Sequence, residues 1–268
     1  MSDAALGAGP AIRYHAANGV ARLTIDQPSK LNALTFEMWA SLPGLIARAE
    51  ADDAVRVIAI TGTGERAFSA GADISQFGEK RSGEAAVAAY DHAVAQADGA
   101  LARAAKPTVA VIAGICFGGG MELAMCCDLR IAASDSRFRI PAARLGLGYG
   151  YSSIAMMVRK IGMGAVADIL FSARIVDAPE ALRLGIASQL FDRDTFRVEA
   201  DAYLARIAGN APLTLRAVKR ALVEMSRPES EREIGAVDAL LAACFGSADY
   251  REGQAAFREK REPVFKGI

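Results

Sequence analysis

The stretch Gly114-Ile-Cys-Phe-Gly118-Gly119-Gly120-Met121-Glu122-Leu123-Ala124 decides how the middle of this chain folds. With the apolar run before it, the stretch predicts a buried strand that turns through glycines into a short helix over about 119–127. Glycines let the backbone approach a ligand closely, and a helix N-terminus offers unpaired N–H groups to an anion. Glu122 falls in the first turn of that helix, where a carboxylate must be paired, protonated or facing a wet cavity. The alternative is that the glycines serve only tight packing and that Glu122 caps its own helix.

A second glycine-containing segment, Ala67-Phe-Ser-Ala-Gly-Ala-Asp-Ile74, lies just after a predicted buried strand over 55–61. The residues between them, Gly62-Thr-Gly-Glu-Arg-Ala67, have the spacing of a dinucleotide-binding loop. Such a loop requires a helix that opens at its glycines, and 68–74 shows neither helical periodicity nor sufficient length. A turn that ends the strand is therefore favoured over a nucleotide site.

The segments outside these two stretches predict a mixed α/β chain. Asn18-Gly19 between alternating runs indicates a hairpin over 11–26. A helix is expected over 36–50, with Thr35 as its cap and a kink or an interruption at Pro43-Gly44. A second helix over 84–104 follows a polar loop, 75–83, that we predict to be a mobile lid.

Helices dominate after about residue 152, with one brief strand near 187–191. We therefore predict three parts, listed in chain order: a flexible N-terminus (1–10), an α/β core (11–200) and a helical C-terminal region (201–268).

Composition excludes several classes of function. Lys plus Arg equals Asp plus Glu at 31 each, so no net charge attracts nucleic acid or an anionic membrane. Two histidines and the lack of Gly-x-Ser-x-Gly argue against a zinc site and a serine triad. The four cysteines form no Cys-x-x-Cys pair, and 1–10 lacks the parts of a signal peptide. We expect a reduced, cytoplasmic protein without a membrane span.

Both glycine segments resemble the signature stretches of the crotonase superfamily (enoyl-CoA hydratases and isomerases), F-x-A-G-A-D and G-x-x-x-G-G-G-x-E-L-A. Three further pieces resemble the family in the same order along the chain: Pro28-Ser-Lys-Leu-Asn-Ala-Leu34, Asp177-Ala-Pro-Glu-Ala-Leu-Arg-Leu-Gly185 and the C-terminal run 252–265. Each piece alone is moderately specific, whereas five in the same order make a chance match a poor explanation.

The resemblance implies an α/β fold, a crotonase-like spiral of ββα units with a helical C-terminal trimerisation region. It implies an enzyme that stabilises the enolate of an acyl-CoA thioester, with enoyl-CoA hydratase, a lyase of fatty acid metabolism, as the leading reaction. Coenzyme A then enters as part of the substrate, with no permanently bound cofactor and no metal. The expected assembly is a homotrimer or a dimer of trimers. Phe77, Tyr90 and the loop 75–83 are candidates for shaping the acyl pocket.

The resemblance also assigns roles to individual residues. Ala70 and Gly119 fall on the two backbone N–H donors of the family's oxyanion hole, which holds the thioester oxygen as it gains charge. The residues expected along the bound CoA are Lys30, Ala33, Ala70, Gly71, Ala72, Asp73, Ile74, Phe257 and Lys260. Lys30 and Lys260 are candidates for its phosphates, Lys260 from a neighbouring subunit, and ordinary solvation is the alternative for both.

One position departs from the family pattern. Glu122 matches the first of two glutamates used by enoyl-CoA hydratases, and the second should follow the proline of Phe-x-x-Pro-Glu. This chain has Phe138-Arg-Ile-Pro-Ala142, so alanine stands in that place. Three accounts stay open: hydration by Glu122 with help from Tyr149 or Tyr151, another enolate reaction such as decarboxylation, C–C cleavage or thioester hydrolysis, or acyl-CoA binding without turnover. The two tyrosines have pocket lining as their alternative role, and the retained Glu122 argues against a pure binder.

Overall fold

The computed structural model describes residues 9–76, 78 and 83–268. Most of the predicted N-terminus 1–10, Phe77 and most of the predicted lid 75–83 lie outside these residues. Ten strands are described, and they form two sheets. The strands are β1 (Ala11–Ala17), β2 (Val20–Asp26), β3 (Val57–Gly62), β4 (Ala67–Ser69), β5 (Thr108–Ile112), β6 (Ile115–Phe117), β7 (Leu129–Ala133), β8 (Arg137–Arg139), β9 (Val176–Asp177) and β10 (Gln189–Phe191).

From β3 to β8, successive strands alternate between the two sheets. The larger sheet has the order β1-β2-β3-β5-β7-β10, and the smaller sheet has the order β4-β6-β8-β9. In the larger sheet only β1 and β2 are antiparallel, and they pair across the predicted turn at Asn18-Gly19. The consecutive pairs β3–β4, β5–β6 and β7–β8 each send one strand to each sheet, and a helix follows each pair. This repetition confirms the predicted α/β spiral of ββα units.

Eleven α-helices are described along the same residues. They are α1 (Phe36–Ala51), α2 (Glu84–Arg103), α3 (Gly119–Cys126), α4 (Ala142–Leu145), α5 (Tyr151–Ile161), α6 (Met163–Ser172), α7 (Ala178–Leu184), α8 (Phe196–Ala208), α9 (Pro212–Met225), α10 (Ile234–Gly246) and α11 (Ala248–Glu259). Short 3₁₀ turns lie at Pro28–Lys30, Ile74–Gln76 and Glu229–Glu231. Among the described residues no helix is long and apolar enough to cross a membrane.

Helix α1 differs from its prediction at Pro43. Thr35 caps it as expected, since its Oγ1 accepts from Met38 N at 3.2 Å, but the helix continues through Pro43 without interruption. A proline inside a helix removes one backbone hydrogen bond. Here the helix buries an apolar face that includes Trp39 and Leu42 and packs along α2. Burial of that face outweighs the loss at one position.

Two apolar clusters hold the layers together. The main cluster lies on one face of the larger sheet and includes side chains of α1, α2 and α3. The second covers the opposite face, where Phe196, Ala200 and Leu204 of α8 pack on the strands. The predicted boundary after residue 200 falls inside α8, whose buried face packs on the larger sheet, and α9 begins at Pro212.

Candidate functional site

The predicted glycine turn lies where β6 ends and α3 begins. Gly118 has φ of 49° and ψ of −124°, a conformation that side chains disfavour, and its N–H donates to Arg139 O at 2.8 Å. A Cβ atom added to Gly120 would lie 2.6 Å from Ser69 Cβ, and one added to Gly119 would lie 3.2 Å from Trp39 Cζ2. The glycines therefore let α3 begin in direct contact with the segment that follows β4.

The segment after β4 is held by backbone hydrogen bonds to the loop before α1. Ala70 N donates to Leu31 O at 2.9 Å, and Leu34 N donates to Gly71 O at 2.7 Å. Asp73 N donates to Leu34 O at 2.9 Å. These bonds link two loops that are far apart in sequence, and they fix the direction of the peptide groups at 70–73.

The prediction that Ala70 donates to an oxyanion is wrong. Its N–H already donates to Leu31 O, so the group is not available to a ligand. Ala72 N has no acceptor among the described residues, and a Cβ added to Gly119 would lie 3.6 Å from it. Gly119 is the first residue of α3, where helix N–H groups have no intrahelical acceptor. The two N–H groups that the structure leaves adjacent are those of Ala72 and Gly119.

Glu122 lies half-buried in the first turn of α3, the same turn that begins with Gly119. Its carboxylate has two polar neighbours from other elements, Tyr149 and Asp98. Burial, and then the charge of Glu122, raise the pKa of Tyr149 well above its ordinary value. The same two causes in the same order raise the pKa of Asp98 to about 7. Glu122 is therefore an acidic group in a poorly solvated surrounding, where proton positions are sensitive to neighbouring charges.

The structure separates the two candidate tyrosines. Tyr149 packs against the main cluster, and its hydroxyl is fully buried within hydrogen-bonding reach of Glu122. Tyr151 opens α5 and is 87% exposed. Only Tyr149 is therefore placed beside Glu122. Its raised pKa keeps the phenol protonated, so it can donate a hydrogen bond but does not act as a base.

Ala142 is buried at the start of α4. Pro141, just before it, has its Cδ atom 3.9 Å from the place of a Cβ on Gly118, so this segment adjoins the glycine turn. Position 142, where the family pattern has its second glutamate, is thus close to the glycine turn, and in this chain it carries only a methyl group. A carboxyl group from this position is excluded by the sequence itself.

The predicted CoA-contacting residues fall into two groups. Ala33, Ala70, Gly71, Ala72, Asp73 and Ile74 lie in or beside the two paired loops, with Ala33 buried and Ile74 68% exposed. Phe257 and Lys260 lie on the exposed surface of α11, and Lys260 ends that helix in a left-handed conformation. Among the described residues, neither side chain forms a hydrogen bond or ion pair with the loops.

Lys30 is occupied within this structure. Its Nζ lies 2.9 Å from Asp73 Oδ2 and 2.6 Å from Ser75 Oγ. Asp73 also accepts from Gln27 Nε2 at 3.2 Å. Burial raises the pKa of Asp73, but the hydrogen bonds from Lys30, Ser75 and Gln27 outweigh it and lower the pKa to about 2. Contact between Lys30 and a CoA phosphate therefore stays a prediction that requires sharing or releasing Asp73.

Replacing Asp73 with asparagine should lower the free energy of unfolding by about 1–3 kcal/mol at neutral pH, because charged hydrogen bonds are lost. A carboxyl group whose pKa is depressed in the folded state stabilises the fold above its unfolded pKa, about 3.9, and this contribution is lost as pH falls through about 2. Urea unfolding should show the difference between wild type and Asp73→Asn shrinking over that range. Asp194→Asn, an exposed site, is the control, and a difference that does not change with pH would contradict the prediction.

Proteins of known structure and sequence resemble this chain over most of its length. Residues 15–268 match the enoyl-CoA hydratase/isomerase family. The chain is 31% identical to the short-chain-enoyl-CoA hydratase of Clostridium acetobutylicum over 91% of this chain and 92% of that protein. It is 32% identical to the crotonyl-CoA hydratase of Syntrophomonas wolfei over 92% and 94%, respectively. The crystal structure of an enoyl-CoA hydratase/carnithine racemase from Magnetospirillum magneticum superposes with a TM-score of 0.88, at 34% identity and 96% coverage of both chains.

These similarities extend over almost the whole chain and agree with the fold described above. The chain belongs to the enoyl-CoA hydratase/isomerase family, that is, the crotonase superfamily. The resemblance inferred from the two glycine segments is confirmed. Among the described residues no group of three or more His, Cys, Asp or Glu side chains is arranged to hold a metal ion.

Proposed function

We propose that this protein hydrates the double bond of a 2-enoyl-CoA thioester. The observation that carries the proposal is the adjacent pair of N–H groups of Ala72 and Gly119, which have no acceptor among the described residues, with Glu122 in the helical turn that Gly119 begins. Two preorganised donors stabilise the negative charge that a thioester oxygen gains when a nucleophile adds to the conjugated system. A carboxylate within the same site moves the proton that the addition requires.

The proposed step balances with water as the only co-substrate. Glu122 takes a proton from water as the water oxygen bonds to the β carbon, and the electrons of the double bond move onto the thioester oxygen. The resulting enolate lies against the N–H groups of Ala72 and Gly119. A proton then returns to the α carbon, which restores the thioester carbonyl and the starting ionisation of the site.

The methyl group of Ala142 favours a second candidate, another enolate reaction such as decarboxylation, C–C cleavage or thioester hydrolysis. Such reactions use the same pair of N–H donors and do not need a glutamate after Pro141. Binding of acyl-CoA without turnover is the third candidate, and the half-buried Glu122 argues against it, because holding a carboxylate in poorly solvated surroundings is costly.

The test is incubation of the purified protein with crotonyl-CoA, following the absorbance of the conjugated thioester. Hydration removes the conjugation, so the absorbance falls and 3-hydroxybutyryl-CoA accumulates. Mass spectrometry of the products separates the candidates, because hydrolysis releases free CoA and decarboxylation does not act on this substrate. Binding measured by calorimetry, with no change in absorbance, would exclude hydration of this substrate.

For the CoA moiety we propose contacts from Ala33 and from the loop 70–74, with Lys30 released from Asp73 toward a phosphate. The support is that these residues surround the proposed N–H donors. Phe257 and Lys260 then contact CoA from a neighbouring subunit, because both are exposed on α11 in the single chain.

We also propose that the C-terminal helices form a homotrimer, alone or as a dimer of trimers. Helix α10 is rich in apolar side chains, yet none of them is buried within the chain, and Leu241 and Phe245 are 49% and 59% exposed. Apolar faces of this kind mark contacts between subunits.

Analytical ultracentrifugation should give a mass three or six times 28.1 kDa. Leu241→Glu should shift the protein toward monomer, whereas Asp238→Asn on the same helix should not, and a monomeric wild type would contradict the proposal.

The proposed location is the cytoplasm. Cys116, Cys126 and Cys127 are free and buried, and burial raises the pKa of each thiol, which suits a reducing compartment.

A further inference from the structure

Asp98 is an acidic residue on the inner side of α2, outside every motif identified in the sequence. The buried residues of α2 are Tyr90, Ala93, Ala97 and Leu101, so its inner face is otherwise built mainly from apolar groups. The Asp98 Oδ1 atom is fully buried and has no hydrogen-bond partner among the described residues. A buried carboxylate oxygen without a partner is unfavourable, which indicates that a proton or a polar ligand belongs there.

Asp98 faces the same helix that carries Glu122. Helix α2 packs on α3, and the titratable groups around the Asp98 carboxyl are Glu122 and Cys126 of α3, with Tyr149 ahead of α5. Helix α1, which also packs on α2, presents a buried face that is apolar. The hydroxyl of Tyr149 is likewise buried, and it lies within hydrogen-bonding reach of Glu122. The Asp98 carboxyl, the Tyr149 hydroxyl and the Glu122 carboxylate thus converge on one small polar region.

We propose that Asp98 is the second carboxyl group of the acid/base pair, reaching Glu122 from α2 rather than from the position after Pro141. The inference rests on the proposed hydratase function and explains how this chain works with alanine at position 142. Asp98 acts through Glu122 and is a positioning residue. Together with the Tyr149 hydroxyl, its protonated carboxyl group keeps the Glu122 carboxylate in position.

Two neighbouring carboxyl groups in poorly solvated surroundings favour the state with one shared proton over the state in which both are ionised, because two adjacent negative charges repel each other. Burial and the charge of Glu122 place that proton on Asp98, whose pKa is raised to about 7. Protonated Asp98 leaves Glu122 as the single negative charge beside the forming enolate. When Asp98 loses its proton, a second negative charge opposes the charge that develops on the thioester oxygen, and the rate falls.

The carboxyl pair of Asp98 and Glu122 sets the direction in which kcat changes with pH. As pH rises through about 7, wild-type kcat for crotonyl-CoA should fall, because Asp98 ionises. Asp98→Asn keeps the shape of the protonated group and cannot ionise. At about pH 6 this variant should retain kcat within about threefold of wild type, and the ratio of its kcat to that of wild type should rise by about tenfold by about pH 8.5.

Asp91→Asn, an exposed aspartate two turns earlier on α2, is the matched control and should leave the pH profile unchanged. An Asp98→Asn profile that is the same as that of wild type would show that Asp98 is only structural. An Asp98→Asn protein that folds and binds acyl-CoA but has no activity at any pH would also overturn the positioning role.

A measurement without substrate separates this inference from the proposed function. Infrared difference spectra between wild type and Asp98→Asn should show a protonated carboxyl band that disappears with a midpoint near pH 7. In a Glu122→Gln background the midpoint should shift downward, because the neighbouring charge is gone. If the band and its shift are observed but the protein has no hydratase activity, the proposed function is refuted and the carboxyl pair is supported. An active protein that lacks the band would refute the pair.

Discussion

Glu122→Gln should lower kcat for crotonyl-CoA by about a thousandfold and leave acyl-CoA binding nearly unchanged. The amide has the shape of the carboxylate but cannot take a proton from water, so the chemical step loses its base. Helix α3 still begins at Gly119, because its start depends on the glycine turn and not on this side chain. The measurement is steady-state kinetics of the pure variant together with calorimetric titration of a saturated acyl-CoA, which separates kcat from binding.

The matched control for this substitution is Glu199→Gln, which changes a glutamate in the first turn of α8, across the larger sheet from Glu122. It should leave kcat within about twofold of wild type. Undiminished turnover by Glu122→Gln would show that Glu122 only caps α3, which is the alternative role given in the sequence analysis. Activity lost together with binding would point to a local change of fold instead of a lost base.

The second large effect is expected at Ala72. Ala72→Pro removes an N–H group that has no acceptor among the residues that the structure describes, and kcat should fall by about two to three orders of magnitude. Ala72→Gly keeps the N–H group and is the matched control, with kcat expected within about fivefold of wild type. Thermal unfolding of both variants shows whether the proline has only destabilised the loop.

Proline at two neighbouring positions sharpens this test. Ala70→Pro removes the hydrogen bond to Leu31 O, so we expect its main effect on stability. Gly119→Pro removes the other proposed donor at the first position of a helix, where proline is well tolerated, although its ring would press on Trp39. Full activity in Ala72→Pro, or equal kcat losses in Ala72→Pro and Ala72→Gly, would refute a donor at this position.

Local sequence signals predicted much of the fold because they depend on contacts between near neighbours. The turn at Asn18-Gly19 has both residues at positive φ, as a two-residue hairpin requires. The strand–turn–helix over the Gly118–Gly120 region follows from glycine spacing alone. Helix α1 is not interrupted at Pro43, because its neighbours on α1 gain more by packing on α2 than the missing hydrogen bond costs. That packing is a tertiary effect, which local sequence signals do not show.

The site was predictable only in part, and the errors have a common cause. Ala70 and Ala72 flank the same glycine, and the sequence does not show which N–H donates to Leu31, 39 positions earlier in the chain. Asp98 was missed because it lies in an alanine-rich helix without any motif, and only the packing of α2 on α3 brings it near Glu122. The sole local hint was an acidic residue next to Ala97 on the buried side of that helix.

The proposed N–H donors belong to the main chain, and this limits what selection can act upon. Point mutation deletes a side chain readily, but it removes a peptide N–H only by introducing proline. A larger residue at position 120 is opposed by Ser69, so the shape of the turn is under direct constraint. The side chains around it, at 98, 142 and 149, carry no such restriction. A lineage built on this scaffold can therefore relocate its acid and base from one helix to another while every ancestor along the way keeps the means to stabilise an enolate.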